Sequence, residues 1–342
     1  MSQPRDSQLW QLLAACLGET RTAELLRMIF VHEALLTPPA DRVPRVILAQ
    51  AMNMVLFHGL VEAVPEGKVY VSERLAAGGQ VLFDHGALRT VDAPDTGALP
   101  RGELAFKRIL EPLGFAMAGL YPLARLKMTG RAYCHQDMPE EVAQFFVSEL
   151  HAGQFSPAFQ AAVARVVGSS RDPLDAQDKA LLDKLAADRA LPFVEAVALL
   201  PRLVGCFAVQ HATPRLADYE ILLAESAEMA WISTEGNCFN HATDRVADVF
   251  QLAEQQKALG RPMKERVEVS AAGSVRQTAY RATLVERSFL DAQGRLVTRT
   301  VPGSFYEFIS RDRLADGRLD LRFDSGNAQG IFKMTAANAV EC

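Results

Sequence analysis

Apolar residues recur at helical spacing through the first quarter of the chain, and from about residue 80 the period shortens toward two. SQLWQLLAACLG, TRTAELLRMIFVHEALL and PRVILAQAMNMVLFHGL each carry a helical stripe, whereas GKVYVSE reads as a short strand. In VLFDHGALRTV the alternation puts Phe83, His85, Ala87 and Arg89 on one face of a strand. The loop VDAPDTGALP leads to a helix striped by Phe106, Ile109, Leu110 and Leu113 and closed by Gly114. Three extended runs follow, FAMAGLYPL, LKMTGRAYCH and QFFVSELHA, so the unit is β-α-β-β-β.

The same order recurs later. FNHATDR at 239–245 echoes FDHGALR at 83–89, with the histidines 156 residues apart. FNHAT reads as a strand, and Val246, Val249, Phe250 and Ala253 repeat the first helix's offsets before Leu259-Gly260, as Leu113-Gly114 close the first. MKERVEVSA, VRQTAYRATLVERSF and LVTRTVPGSFYEFIS supply the later extended runs. The repeat is therefore structural. Between the copies, FQAAVARVV, DKALLDKLAADRA and VEAVALLPRLVGCFAV predict a helical insertion, because a structureless connector of that length is unusual in a compact domain. The expected fold is α+β: a helical segment over 1–78, a first module over 79–156, the insertion over 157–232, and a second module with a tail over 233–342.

Composition narrows the function. The 342 residues are 49 % apolar and 23 % charged, an ordinary globular balance. A net charge of −5 without a Lys/Arg block argues against nucleic acid or an anionic membrane as partner. The helical N-terminal segment could fold as a winged-helix-like unit, but it lacks the basic stripe of a DNA reader, so it is expected to serve in packing. MSQPRDSQLW has no signal-peptide pattern, and a cytoplasmic location is expected. Five scattered cysteines without a CxxC pair fit reduced thiols.

Two histidines at equivalent places in paired modules would face one another if the modules close edge to edge. In SFYEFIS, Glu307 shares a strand face with Phe305 and Ile309, where an ionised carboxylate is costly unless paired or metal-bound. Glu149 in FFVSEL, beside Phe145 and Val147, is the expected counterpart in the first copy. Two His and one carboxylate suit an Fe(II) oxygenase, and with zinc they suit hydrolysis. The plainer alternatives are hydrogen-bonded core histidines, a Glu307 paired with Arg311, and, for His211 in QHATP, a surface or capping role.

From about residue 80 onward the chain resembles the 2-oxoadipate dioxygenase/decarboxylase family, built on a vicinal-oxygen-chelate-like core. The resemblance rests on DHGALR, LEPLGFAMAGLYPL with LKMTGRAY, FFVSEL with FSP, FNHATDRV, RQTAYRA, SFYEFISR and FDSGNAQGIFKMT, in that order. It implies an Fe(II) triad of His85, His241 and Glu307, a substrate-gripping Arg89, and Gln277 as a polar lining residue. It also implies that Glu149 is not a ligand. The implied reaction consumes O2 and a 2-oxo acid such as 2-oxoadipate, releases CO2 and yields 2-hydroxyglutarate, with no separate co-substrate. Arg89 would clamp the distal carboxylate, and Phe83, Phe305 and Ile309 would keep water out. A metal-dependent isomerase or lyase, with Glu149 as a fourth ligand, and a small-ligand binding protein are the rival readings.

Overall fold

The computed structural model describes residues 4–324. The family-like tail FDSGNAQGIFKMT lies outside the described residues beyond Asp324. The N-terminal helices are α1 (Gln8–Leu17), α2 (Glu19–Met28), α3 (Arg45–Ala63) and α4 (Pro65–Ala76), with a short strand β1 (Arg42–Pro44) before α3. Ser7 caps α1 by accepting from Trp10 N at 3.1 Å. α3 is long and apolar enough to cross a membrane by length and composition, but 72 % of its apolar window is buried within the protein, where it packs beneath the central sheet.

Two expectations fail here. The helix expected through TRTAELLRMIFVHEALL ends at Met28, and the segment GKVYVSE lies inside α4. The Val-Tyr-Val alternation is too short to outweigh the helical spacing of Gly67, Tyr70, Val71 and Arg74. Of these, Gly67, Tyr70 and Val71 are buried, while Val69 is 49 % exposed. Pro65 starts the helix at its first position, where a missing N–H costs nothing.

The first module consists of β2 (Phe83–Asp92), α5 (Leu104–Leu110), β3 (Phe115–Leu123), β4 (Met128–His135) and β5 (Gln144–His151). The insertion supplies α6 (Pro157–Val167), α7 (Ala176–Asp188), β6 (Ala190–Pro192), α8 (Phe193–Gly205), α9 (Leu216–Glu225) and α10 (Ala227–Glu235), and β6 pairs with β1. The second module holds β7 (Phe239–Arg245), α11 (Val249–Ala258), β8 (Glu268–Val269), β9 (Val275–Ala279), β10 (Leu284–Leu290), β11 (Leu296–Pro302) and β12 (Phe305–Arg311).

Eight of the strands form one curled sheet in the order β3-β4-β5-β2-β7-β12-β9-β8. The opening strand of each module pairs in parallel with that module's last strand, β2 with β5 and β7 with β12. The modules join where β2 meets β7, antiparallel. The α+β class and the paired-module sheet agree with the expectation from sequence. One sheet face, through Leu88, Phe145, Val147, Phe239, Tyr306 and Phe308, packs on the N-terminal helices with α5, α8 and α11. The other, through Ala87, Val91, Phe146 and Leu150, packs on α6, α9 and α10.

The second module departs from its forecast in three ways. β10 and β11 form a two-stranded sheet apart from the main one, so LVTRTVPGSFYEFIS breaks at Gly303-Ser304, pinned by Trp231 Nε1 donating to Gly303 O (3.0 Å) and Ser304 Oγ donating to Phe239 O (2.8 Å). Only Glu268–Val269 of MKERVEVSA pairs as a strand. Asp248 caps α11, so Leu252 and Gln256 join Val249 and Ala253 inside while Phe250 is 48 % exposed.

Candidate metal centre

The β2–β7 seam carries two bulges. Phe83 pairs with Asp244 and His85 with Thr243, leaving Asp84 as an extra residue; Ala87 pairs with His241 and Leu88 with Phe239, leaving Asn240 as an extra residue. A bulge re-aims the side chains beside it. Asp84 and Asn240 therefore lie next to the rings that follow them, Asp84 Oδ1 at 2.8 Å from His85 Nδ1 and the Asn240 amide at 2.8 Å from His241 Nδ1. The bulge also corrects the placement of Phe83, expected beside His85. It turns away to pack on Phe57 at 4.8 Å and on Phe239, and does not line the site.

His85, His241 and Glu307 are buried together, their ligand-capable atoms all within 4.8 Å of one another. Glu307 Oε2 lies 3.2 Å from His85 Nε2 and 3.4 Å from His241 Nε2. Adjacent ligands on an octahedral ion with bonds of about 2.1 Å stand about 3.0 Å apart, so the spacing fits a metal. The Thr243 hydroxyl donates to Glu307 Oε2 at 2.6 Å and lies 3.1 Å from His85 Nε2. Glu307 Oε1 is buried and has no hydrogen-bond partner among the described residues. A fully buried carboxylate between two imidazoles is costly without a compensating cation, and this donor set fits one.

The electrostatics agree. Burial alone would lower the His85 pKa, but Asp84 and Glu307 raise it above its ordinary value. Burial would raise Glu307, yet His241, His85 and Thr243 hold it below the usual carboxylate range. A pocket that favours a proton between His85 and Glu307 also favours a metal cation there. Burial, with His85 and Arg89 nearby, pushes His241 down to about 3 despite Glu307, which leaves its imidazole neutral and able to donate a lone pair.

Arg89 lies two residues beyond Ala87 on the same strand face, fully buried, its guanidinium over the Trp231 ring at 4.8 Å. Burial lowers its pKa to about 10, with Glu228 acting in the opposite direction. It remains a cation at neutral pH. Gln277 on β9 pairs across from Ile309, is buried, and bonds Glu268, which is ion-paired with Lys264.

Glu149 is not the counterpart of Glu307. It pairs with Thr90, on the sheet face opposite Ala87 and Arg89, accepts from Glu103 N at 2.9 Å and pairs with Arg131 at 2.8 Å. Arg311 does not pair with Glu307 either; it holds Asp84. His211 reaches the backbone carbonyls of Ala212 and Ile232, a capping role.

Sequence reasoning missed Thr243, Trp231 and Phe323, whose ring lies edge-on to His85 with centroids 4.8 Å apart. Aligning HGALR with HATDR would have exposed Thr243 opposite Ala87, a hydroxyl where the first copy has a methyl. Trp231 and Phe323 come from outside the repeat, and no spacing points to them.

The sequence matches the family described as 2-oxoadipate dioxygenase/decarboxylase over residues 48–333. No curated protein matches. Among solved structures, a protein of Ralstonia eutropha JMP134 described as belonging to the glyoxalase superfamily is 56 % identical, with a TM-score of 0.90 over 95 % of this chain and 100 % of that one. The hydroxyglutarate synthase of Oryza sativa, crystallised in complex with 2-oxoadipate, is 18 % identical, with a TM-score of 0.69 over 90 % of this chain and 99 % of that one. The Pseudomonas putida hydroxyglutarate synthase, also with 2-oxoadipate, is 17 % identical, with a TM-score of 0.62 over 89 % of this chain and 76 % of that one. At these identities the two synthases speak for the fold. With the family match extending over most of its length, this chain belongs to the 2-oxoadipate dioxygenase/decarboxylase family.

Proposed function

We propose that the chain binds Fe(II) through His85, His241 and Glu307 and uses O2 to convert a 2-oxo dicarboxylic acid of the 2-oxoadipate kind into the 2-hydroxy acid one carbon shorter. For 2-oxoadipate the products are 2-hydroxyglutarate and CO2, with both oxygen atoms of O2 in 2-hydroxyglutarate, one in the carboxylate formed from the keto carbon and one in the hydroxyl, so no further reductant is needed. The observation that carries this reading is the buried triad of His85, His241 and Glu307, with ligand-capable atoms all within 4.8 Å of one another. When bound, Fe(II) supplies chelation of the 2-oxo acid and activation of O2.

The remaining work falls to the chain's own residues. Arg89, a cation buried on the ligand face, suits the distal carboxylate as a bidentate fork, and Trp231 beneath it fixes the plane of that fork. Phe305, stacked on His241 at 4.8 Å, and Phe323, edge-on to His85, limit water at the reacting end. Gln277 offers a polar amide on the β9 side of the same sheet face. The four described cysteines are free thiols, compatible with a reducing cytoplasmic setting for Fe(II).

The isomerase or lyase reading relied on Glu149 as a fourth ligand, and that carboxylate is bonded on the other side of the sheet. Anaerobically reconstituted Fe(II) protein, followed by an oxygen electrode and product analysis on 2-oxoadipate, tests the proposal. Equal consumption of O2 and release of CO2 with 2-hydroxyglutarate is expected; anaerobic turnover, or equal activity with zinc, would overturn it.

A further inference from the structure

The two bulges treat the two histidines differently. Beside His85 the extra residue is a carboxylate, Asp84; beside His241 it is a neutral amide, Asn240. Asp84 is itself held. The Arg311 guanidinium, with no exposed side-chain surface, donates to Asp84 Oδ1 and Oδ2 through Nε at 3.1 and 3.0 Å and to Oδ1 through Nη2 at 2.9 Å. Arg245 Nε approaches Asp84 Oδ2 at 3.5 Å. Arg311 Nη1 donates to the carbonyls of Asp320 and Arg322, both at 2.8 Å, and the guanidinium packs under the Phe323 ring at 5.1 Å.

We infer that Asp84 and Arg311 are positioning residues that make His85 the more strongly donating of the two histidines, by fixing a proton on Nδ1 and turning Nε2 toward the metal. A carboxylate behind a ligand imidazole sets its tautomer and raises its basicity. Asp84 is an acceptor only, so His85 Nδ1 must be the protonated nitrogen. Asn240 can turn either its oxygen or its NH2 toward His241, so it sets no tautomer as firmly and adds no charge. Arg311 has a second effect, because it also fixes the segment that carries Phe323 against His85. The inference rests on the metal-centre reading above and deepens it.

The test uses metal binding by the full chain, with Co(II) as the probe. Apo-protein competes for Co(II) against a chromophoric chelator, and the visible spectrum of the bound Co(II) is recorded. Asp84→Asn keeps the shape and removes the charge; because it strands Arg311, the paired change Asp84→Asn with Arg311→Met is measured alongside, with melting followed by circular dichroism. Co(II) affinity is expected to fall about 10- to 100-fold in the paired variant, with a shifted visible spectrum. Asn240→Ala is expected to lose less than a third as many fold. Unchanged affinity and spectrum in the folded paired variant, or an equal loss in Asn240→Ala, would overturn the inference and leave the triad standing. A wild-type chain that takes up no Co(II) would overturn the metal-centre reading and the inference with it.

Discussion

Phe146 stands in the first module where Glu307 stands in the second. On β7, Thr243 is two residues past His241 and pairs with Glu307; on β2, Ala87 is two residues past His85 and pairs with Phe146. The two modules thus contribute one histidine each and only one carboxylate. Phe146 instead packs on Phe323 at 4.8 Å and on Tyr121 at 5.7 Å, so the first module supplies an apolar wall at the position where the second supplies the candidate ligand.

Replacing the two carboxylates separates these roles. Glu307→Ala should lose bound iron and turnover with helical content unchanged. Glu149→Ala should keep iron at one per chain but lower stability by about 1–3 kcal/mol, since Glu103 N loses its acceptor and Arg131 keeps only Glu103 of its two carboxylate partners. Metal analysis together with chemical denaturation of both variants checks this, and a Glu149→Ala protein without iron would contradict it.

Arg89→Met should lower kcat/KM for 2-oxoadipate by roughly two to three orders of magnitude, the loss of about 2–5 kcal/mol expected for a charged contact. The monocarboxylic 2-oxohexanoate, which offers nothing to the clamp, should be far less affected. Steady-state kinetics on both acids decides the matter. If wild type handles the two alike and the variant changes neither, Arg89 is a structural residue.

His135 should make the fold acid-sensitive. Its Nδ1 accepts from the N–H groups of Asp137 and Met138 at 3.2 and 3.3 Å, and Nε2 faces Leu113 O at 3.0 Å, so a second proton has no acceptor. Burial pushes its pKa down to about 4 from an ordinary 6.5. A depressed pKa gives stability that is complete above the unfolded value and is lost as pH falls through the folded one. Between those limits the loss is about 1.4 kcal/mol per pH unit. Asp244, pushed up to about 6 by burial, works in the opposite sense, so the measurement is the difference between wild type and His135→Gln in urea melts at pH 7, 5.5 and 4.5. The variant's curve should be flatter on the acid side by about one proton.

Gly86→Ala should destabilise the seam itself. A Cβ there would stand 2.3 Å from the Phe239 ring, which is packed among Phe83, Phe145 and Phe207 and has no room to retreat. Overpacking of this kind costs about 1–3 kcal/mol, readable in urea midpoints.

The repeated F-D/N-H, the helix-Gly endings and the alternation in β2, β5 and β12 made the paired-module sheet legible, because each is set by local period. Three features were not. GKVYVSE looked like a strand because Val69 and Val71 alternate over too few residues to reveal the helical spacing of Gly67, Tyr70 and Val71. Glu149 looked like the counterpart of Glu307 because facing was judged within β5 alone, whereas its face depends on which residue of β2 it pairs with. Phe83 looked like a site wall because strict alternation was assumed through Asp84, and a bulge is invisible until its partner strand is known. Of the site residues named from sequence, the three candidate ligands are brought within one cluster, while Trp231, Thr243 and Phe323 required tertiary contacts to find.

The seam between β2 and β7 has a consequence for the order of events at synthesis. Its pairing joins strands on either side of the whole helical insertion, and the carboxylate follows His85 by 222 residues. At a synthesis rate of roughly 5–20 residues per second, His85 is made some 10–45 s before Glu307. Through the first 156 of those residues His85 stands without either partner of the candidate triad, and until Glu307 is made the seam can offer at most the two imidazoles. On the proposed reading, capture of the metal by the complete triad is thereby deferred until β12 has been made, and a chain that stalls or is cut before β12 lacks the carboxylate of the set.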